Sequence, residues 1–371
     1  MNDEQNKTVA VWALTPNGLL LAEKIHRKLP RACVYASHKI AAPTGGCRTF
    51  QNLSARLEQT FGQHSGHVFI MSTGIVVRII APLIQHKTQD PAVVVVDDGG
   101  NHAISLLSGH LGGANDLARQ IADMLGARPV ITTATDVNRL PAIDVLAQKN
   151  GLAIENPAAI KTVNMAILTG EKIRIHDPYH YLNDRLPNSE LSDFSGSGGK
   201  LEQHRQDPEI NSTPGVFIDD VEMDLSSRVL VLRPPSLVAG IGCNRNTGKD
   251  EIKGLLEKVL ANSNLSPVSL RCLASIDVKA DEAGLIALGD DLNLPLRFFE
   301  RQELNRVENI ENPSNIVEKH VGVKSVCEAA AILASGNGTL IVPKHSTRNV
   351  TVAIARISCS SSESGRAVPN T

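Results

Sequence analysis

The run of four valines in AVVVVDD (92–98) is the feature that most constrains the fold. A continuous run of β-branched residues is typical of a strand buried on both faces, as in a parallel sheet that carries helices on each side. Two shorter apolar runs precede it, TVAVWAL (8–14) and HVFIMS (67–72), and helical patterns follow them at 16–29 and 73–84. The alternation of strands and helices predicts an α/β fold built from layered sheets.

The segment SGHLGGANDLARQIADMLGARPVITTATD (108–136) indicates how these strands are connected. The preceding run, HAISLL (102–107), predicts a strand that forms a hairpin with the valine strand. A glycine-rich turn then leads into an amphipathic helix that ends at Gly126, and PVITT predicts the next strand. Strand, helix and strand in this order predict a right-handed parallel crossover.

The length of 371 residues predicts two or three domains. We place an N-terminal α/β domain at 1–136, a middle region at 137–228 and a C-terminal α/β domain at 229–357, followed by a disordered tail at 358–371. The middle region contains a polar loop at 187–215, rich in Gly, Ser and Pro. We expect parallel crossovers in both terminal domains and a ligand cleft between them.

Composition excludes several classes of protein. The 37 Lys and Arg residues against 39 Asp and Glu argue against a nucleic-acid partner, and eleven aromatic residues are too few for a base-stacking platform. No run approaches the roughly 18 apolar residues of a membrane span, and the N-terminus lacks a secretory signal. The six cysteines are dispersed, which favours reduced thiols in the cytoplasm over a disulfide framework or a zinc site.

The first candidate site is the turn that begins at Ser108 and ends at Asp116. Backbone N–H groups at a helix N-terminus bind phosphates or carboxylates, so an anion-binding turn with His110 at its edge is one interpretation. Glycines that only permit tight packing of the helix on the strand are the other. The glycine spacing departs from GxGxxG and therefore disfavours a dinucleotide-binding fold and an NAD-dependent oxidoreductase.

Two further segments are expected at the same edge of the sheet. TTATD (132–136) follows the next strand, where α/β sheets bind ligands, although Thr135 or Asp136 could simply cap the following helix. Asp97 and Asp98 follow the valine strand and are expected at this edge too, although a DDGG turn explains them almost as well.

The segment GCNRNTGKD (242–250) superficially resembles a phosphate-binding P-loop. Five residues rather than four separate its glycines, and Asp250 stands where a P-loop has Ser or Thr, so we reject a nucleoside triphosphatase. The GIGC turn stays a candidate ligand loop, and the alternative is a tight junction with Cys243 as a small buried residue.

Cys243 has no histidine nearby in sequence that would activate it as a nucleophile. The histidines form no HExxH or HxH set, so a metal site in the protein is not expected.

Together these segments resemble a known family. The stretch from GIVVRIIAPLIQHKTQD to PVITTATD resembles the N-terminal domain of the CbiG family of cobalamin biosynthesis, the cobalt-precorrin-5A hydrolases. The segments VAGIGCNRN, LASIDVKADEAGLIAL, LPLRFF, VGVKSVCEAAAILASG, LIVPK and VTVAIARI resemble its C-terminal part, so the resemblance covers roughly residues 50–357. The family usually has a more basic, glycine-containing continuation where this chain has Asn244-Arg245-Asn246, and residues 185–215 look expanded.

The resemblance implies a cytoplasmic reaction of anaerobic corrin synthesis. Water opens a δ-lactone between a ring acetate and the C20 bridge of a cobalt-containing tetrapyrrole, and acetaldehyde leaves as the ring contracts. The cobalt belongs to the substrate, so neither a cofactor nor a protein metal site is expected. Other enzymes of the pathway and a second copy of the chain remain open as partners. The alternative is a non-catalytic corrinoid-binding or carrier protein, because the C-terminal half also resembles stand-alone small domains of the aerobic pathway.

Lactone hydrolysis requires a base, donors for the developing oxyanion and cations for the substrate carboxylates. His110 is the candidate base because its ordinary pKa lies near neutrality, and Asp136 and Glu282 follow it, although Glu282 could simply favour the helix dipole. The N–H groups of Gly112 and Gly113 are the candidate oxyanion donors. The expected substrate-binding residues are Ser108, Gly109, Gly112, Gly113, Thr133, Gly242, Cys243, Lys279, Lys344 and Arg348.

Overall fold

The computed structural model describes residues 8–40, 47–86, 89–182, 185–192, 194, 213–308, 310–312 and 325–358. The chain divides into two compact units, Met1–Leu146 and Ala147–Thr371. Strands of the described residues form one seven-stranded sheet in the first unit and two five-stranded sheets in the second. The predicted multi-domain α/β class is therefore confirmed.

The sheet of the first unit has the strand order β3-β2-β1-β4-β5-β6-β7. Its strands are β1 (Val9–Ala13), β2 (Cys33–Ser37), β3 (Arg48–Phe50), β4 (Gly66–Ile70), β5 (Ala92–Val96), β6 (His102–Leu107) and β7 (Arg128–Val130). The helices are α1 (Pro16–Lys28), α2 (Leu53–Thr60), α3 (Thr73–Ile80), α4 (Ala114–Leu125), α5 (Ala134–Val137) and α6 (Ile143–Lys149), the last of which crosses into the second unit.

The valine strand β5 lies in the middle of this core. Its side chains are buried on both faces, as predicted, because α1 and α4 cover one face of the sheet while α2 and α3 cover the other. The parallel crossover from β6 through α4 to β7 is also confirmed, and Gly126 ends α4 with φ of 77°. The sequence analysis missed β2, β3 and α2.

The predicted hairpin of β5 and β6 is present, and it places the acidic pair differently from our expectation. Because β6 runs antiparallel to β5, the carboxyl end of β6 lies beside the amino end of β5. Asp97 and Asp98 therefore lie at the opposite edge of the sheet from His110, and the prediction of a shared edge was wrong. Asp97 instead accepts the backbone N–H groups of Asn101 and His102, which closes the hairpin.

The first sheet of the second unit has the order β10-β9-β11-β12-β8. Its strands are β8 (Ala153–Ile154), β9 (Ile173–His176), β10 (Ser189–Leu191), β11 (Gly215–Ile218) and β12 (Val229–Arg233), with helix α7 (Ile160–Thr169). The prediction that β12 begins the C-terminal domain was wrong, because β12 pairs with β11 in this sheet. Pro234 and Pro235 end β12 and separate it from β13. The predicted polar loop contains β10 and the start of β11, while residues 195–212 lie outside the described residues.

The last sheet has the order β15-β14-β13-β17-β16. Its strands are β13 (Leu237–Cys243), β14 (Leu270–Ile276), β15 (Leu296–Phe299), β16 (Thr339–Ser346) and β17 (Val350–Arg356). Its helices are α8 (Lys249–Asn262), α9 (Ala283–Leu292), α10 (Arg301–Asn305) and α11 (Val326–Ala334). Strands β13, β14 and β15 are parallel, so the predicted C-terminal crossovers are confirmed, and β17 runs antiparallel to β13.

The predicted tail lies outside the described residues from 359 onward. Within the described ranges, no helix combines the length and the apolar character needed to cross a membrane.

Candidate functional site

His110 lies in the loop between β6 and α4, between carboxylates from two other helices. Its Nδ1 is 3.5 Å from Oδ2 of Asp144 on α6, and its Nε2 is 3.4 Å from Oδ2 of Asp136 on α5. The hydroxyl of Thr135 lies 3.0 Å from Nε2. About a fifth of the His110 side chain is exposed, whereas Asp144 is buried.

These neighbours raise the pKa of His110 above its usual value of 6.5. The hydrogen bond to Asp144 makes the largest contribution, burial of the ring opposes it, and the charge of Asp136 adds to the increase. The imidazole is therefore a stronger base than a free histidine, and the carboxylates stabilise its protonated form.

Asp136 is held as a carboxylate by several donors. Burial by itself raises its pKa, but bonds from Arg119 and Thr133 and the charge of His110 lower it overall. Asn115 Nδ2 also donates to Asp136 Oδ2 at 2.8 Å and to Thr133 Oγ1 at 2.7 Å. Asp136 and Thr133, predicted as a second base and a substrate contact, thus belong to the hydrogen-bond network that positions His110.

The N–H groups of the glycine turn donate to carbonyl groups of the same turn. The N–H of Gly113 donates to the His110 carbonyl at 2.8 Å, and those of Ala114 and Asn115 donate to the carbonyls of Ser108 and Gly109. None of these three groups is free to bind an anion, so the proposed role of the Gly113 N–H as an oxyanion donor was wrong. The physical reason is that the turn folds back to cap α4, which favours the packing interpretation.

The turn is also tightly folded. Ser108 has φ of 59°, and a Cβ at Gly112 would lie 2.3 Å from the Ser108 Cβ. Only glycine fits at position 112 for this reason. The substrate contacts predicted for Ser108, Gly109 and Gly112 remain predictions.

The C-terminal domain contains a pocket of about 500 Å³. All five substrate-binding residues predicted in this domain line it, namely Gly242, Cys243, Lys279, Lys344 and Arg348. Among the described residues, the lining includes three cations and no carboxylate. This charge and the mixed polar and apolar wall suit a ligand that carries several carboxylates.

The GIGC segment is part of this wall, but it is not a turn. Gly242 and Cys243 are the last residues of strand β13 and pair with β17, so the predicted loop begins later. Burial raises the pKa of the Cys243 thiol, against an opposing effect of Lys279. The thiol therefore stays protonated near neutrality and is a poor nucleophile.

Glu282, the third candidate base, is buried and does not line the pocket. Its buried carboxylate accepts the N–H of Asn246 at 2.7 Å and a bond from the Lys279 ammonium at 3.2 Å. These contacts hold the loop after β13 and orient Lys279 toward the pocket.

The sequence analysis missed two carboxylates that support these sites. Asp144 lies 34 positions after His110 in an ordinary amphipathic helix, so no local motif marks it. Glu328 is buried at the start of α11, where it accepts the N–H groups of Asn312 and Lys344 at 3.0 and 2.8 Å. Across the described residues, no group of three or more His, Cys, Asp or Glu side chains has an arrangement that could hold a metal ion.

Three family models match the chain in succession. Cobalamin synthesis G N-terminal matches residues 55–136, Cobalamin biosynthesis central region matches 141–234, and Cobalamin synthesis G C-terminus matches 237–355. The chain belongs to the cobalamin synthesis G family. His110 and Asp136 lie within the N-terminal part of the family, Asp144 lies in the central part, and the pocket lies in the C-terminal part.

Relatives within this family match over nearly the full length. The cobalt-precorrin-5A hydrolase of Salmonella typhimurium (strain LT2) is 36% identical over 360 residues, which cover 95% of this chain and 99% of the relative. That of Priestia megaterium is 34% identical over 363 residues, or 95% and 96% of the two chains. Protein CobE of Sinorhizobium sp is 35% identical over 121 residues, or 32% of this chain and 79% of the relative.

Proposed function

We propose that the chain hydrolyses cobalt-precorrin-5A, opening its lactone and releasing acetaldehyde as the ring contracts. It is a hydrolase of cobalamin biosynthesis, as its full-length relatives in the family are named. The observation that supports the chemistry is the position of His110 between Asp144 and Asp136, the arrangement of a general base supported by carboxylates.

In the proposed reaction, His110 takes a proton from the attacking water. Asp144 holds Nδ1, which leaves Nε2 to accept the proton through the Thr135 hydroxyl 3.0 Å away. Both carboxylates stabilise the imidazolium that forms. Water adds to the lactone carbonyl, and the bond between that carbon and the C20 oxygen breaks. The C20 oxygen then forms the carbonyl of acetaldehyde as the bond from C20 to the ring breaks, and the ring carbon keeps that electron pair and takes the proton from His110.

The cations of the C-terminal pocket would bind the carboxylates of the substrate. A charge-assisted hydrogen bond contributes about 1.5–3 kcal/mol, so Lys279, Lys344 and Arg348 together provide strong selection for an anionic ligand.

Cobalt arrives as part of the substrate, and hydrolysis by this route requires no further cofactor. We place the reaction in the cytoplasm, where the substrate would be exchanged with other enzymes of the pathway.

The decisive test combines acetaldehyde trapping with the variant His110→Ala. Loss of the base should lower turnover per folded molecule by about 10²–10⁴-fold while substrate affinity changes little. His102→Ala is the matched control, because His102 belongs to the same sheet but lies exposed at its opposite edge. Its turnover should equal that of the wild type.

Two results would contradict these roles. Unchanged turnover of the His110→Ala variant would remove His110 from the mechanism and leave Asp136, whose Oδ2 lies 3.4 Å from His110 Nε2, as the next candidate base. Tight binding of cobalt-precorrin-5A by the wild type without any release of acetaldehyde would favour the second candidate, a non-catalytic corrinoid-binding or carrier protein.

A further inference from the structure

Helix α3 carries apolar residues on both sides, yet among the residues that the structure describes only one side is buried. Val76 and Ile80 face the sheet and are buried. On the opposite side the exposed fractions are 39% for Ile75, 47% for Val77 and 41% for Ile84, just after the helix. A helix that is apolar all round is normally buried, so we expect the exposed side to bind another molecule.

The exposed apolar residues are concentrated here. Three of the ten large apolar side chains that the described residues expose fall within the ten positions 75–84. Single exposed apolar residues are ordinary on a protein surface, whereas several within one short segment favour a binding surface. We call Ile75, Val77, Arg78 and Ile84 the α3 face.

The α3 face carries one charge. Arg78 is the only charged residue between Thr73 and Ile84, it is exposed, and within the described part of the chain it forms no ion pair. An apolar surface with one unpaired cation matches a flat, largely apolar ring that bears carboxylates. It matches a second copy of this chain poorly, because a two-fold interface centred here would place Arg78 against its own copy.

The α3 face also extends toward the loop that carries His110. Directly after Ile84, the N–H of Gln85 donates to Asp90 Oδ1 at 2.9 Å. The Asp90 carbonyl in turn lies 3.2 Å from the position that a Cβ would take at Gly112. Asp90 thus joins the end of the α3 segment to the glycine turn.

From this continuity and the charge pattern we infer that the α3 face binds the tetrapyrrole macrocycle of the substrate, with Arg78 paired to one of its carboxylates. This inference rests on the proposed function and deepens it, since it assigns a surface to the ring itself. The ring covers the apolar side chains, and its edge is directed toward the His110 loop.

The test uses the full chain and cobalt-precorrin-5A. Ile75→Ser combined with Val77→Ser should raise both Kd and KM about tenfold, with kcat within about twofold, because the lost contact is apolar burial of substrate. Arg78→Gln should raise Kd about tenfold, and Arg78→Lys should recover part of the affinity. Leu20→Ser on α1 is the matched control, because Leu20 is 63% exposed in the same unit and should leave Kd unchanged. Thermal unfolding checks that each variant is folded.

Each outcome has one interpretation. Wild-type turnover combined with unchanged Kd in all α3 variants would overturn this inference alone and leave the proposed function intact. A wild-type dimer that becomes monomeric in the double variant, with unchanged Kd, would assign the face to a second copy instead. A wild type that neither binds nor hydrolyses cobalt-precorrin-5A would overturn the proposed function, and this inference with it.

Discussion

The chemistry attributed to His110 depends on two carboxylates that reach it from different helices. In isolation its pKa would lie at the usual 6.5, and the hydrogen bond to Asp144 and the charge of Asp136 raise it despite burial of the ring. Asp144 is therefore a positioning residue whose contribution can be measured by titration.

Asp144→Asn should lower the pKa of His110. In the proposed mechanism the neutral imidazole is the base, so activity should be lost as the pH falls through this pKa. The acid limb of the kcat/KM profile should therefore lie above pH 6.5 in the wild type and move to lower pH in the variant. The plateau should also fall, because the imidazolium loses a stabilising charge.

The control for this change is Asp116→Asn. Asp116 pairs with Arg119 and is largely exposed, so its replacement should leave the acid limb in place. An unmoved limb in Asp144→Asn would show that another group controls the profile.

At the level of the elements, the C-terminal pocket depends on how closely α11 packs against β13. A Cβ at Gly240 would lie 1.9 Å from the Cys327 carbonyl oxygen and 2.8 Å from the Ala331 nitrogen. The first residues of α11 line the pocket, so the glycine sets the position of one wall.

Gly240→Ala should destabilise the protein by about 1–3 kcal/mol or more, because backbone atoms of α11 must move away from the sheet. Corrinoid affinity should fall as well, because the wall of the pocket moves with the helix. Urea unfolding and a binding titration measure the two effects.

Gly254→Ala on α8 is the control, because the same substitution is made at a glycine whose surroundings are open. Nothing lies within 4 Å of the Cβ position at Gly254, and alanine favours a helix interior over glycine by about 1 kcal/mol. This variant should be slightly more stable than the wild type. Equal stability of Gly240→Ala and the wild type would mean that the helix adjusts without cost.

At the scale of the whole molecule, the two sheets of the second unit are joined by a buried charge. Asp220, fully buried after β11, accepts two bonds from Arg356 at the end of β17, with distances of 2.8 and 2.6 Å. The Ser236 hydroxyl donates to the same carboxylate at 2.6 Å. One carboxylate of the middle sheet thus holds two groups near the C-terminal sheet.

Asp220→Asn should lower the free energy of unfolding by about 1.5–3 kcal/mol, the range for hydrogen bonds to a charged group. Arg356 then loses its buried counter-charge while the shape of the side chain is kept. Urea unfolding of the full chain measures the change. Asp291→Asn, which breaks surface pairs with Lys249 and Lys253, should leave the midpoint nearly unchanged. A similar small effect for Asp220→Asn would show that the buried pair adds little.

The amino-acid sequence by itself determined the α/β class, the doubly buried valine strand, the crossover through α4 and the family. It also indicated five residues that the structure brings together in one pocket, although their roles remain predictions. Local periodicity and capping residues carry the information on strands and helices, because each is a property of neighbouring positions, whereas the family was identified from the resemblance of several motifs.

Only the tertiary structure decided which edge of the sheet each loop occupies and which donors remain free. Because β6 pairs antiparallel to β5, Asp97 and His110 lie at opposite edges of the sheet. The Gly113 N–H donates to the His110 carbonyl within the glycine turn. Asp144 reached His110 from 34 positions away, and β12 joined the middle sheet. Such outcomes depend on strand pairing and on contacts between distant residues, which the pattern of any single segment does not contain.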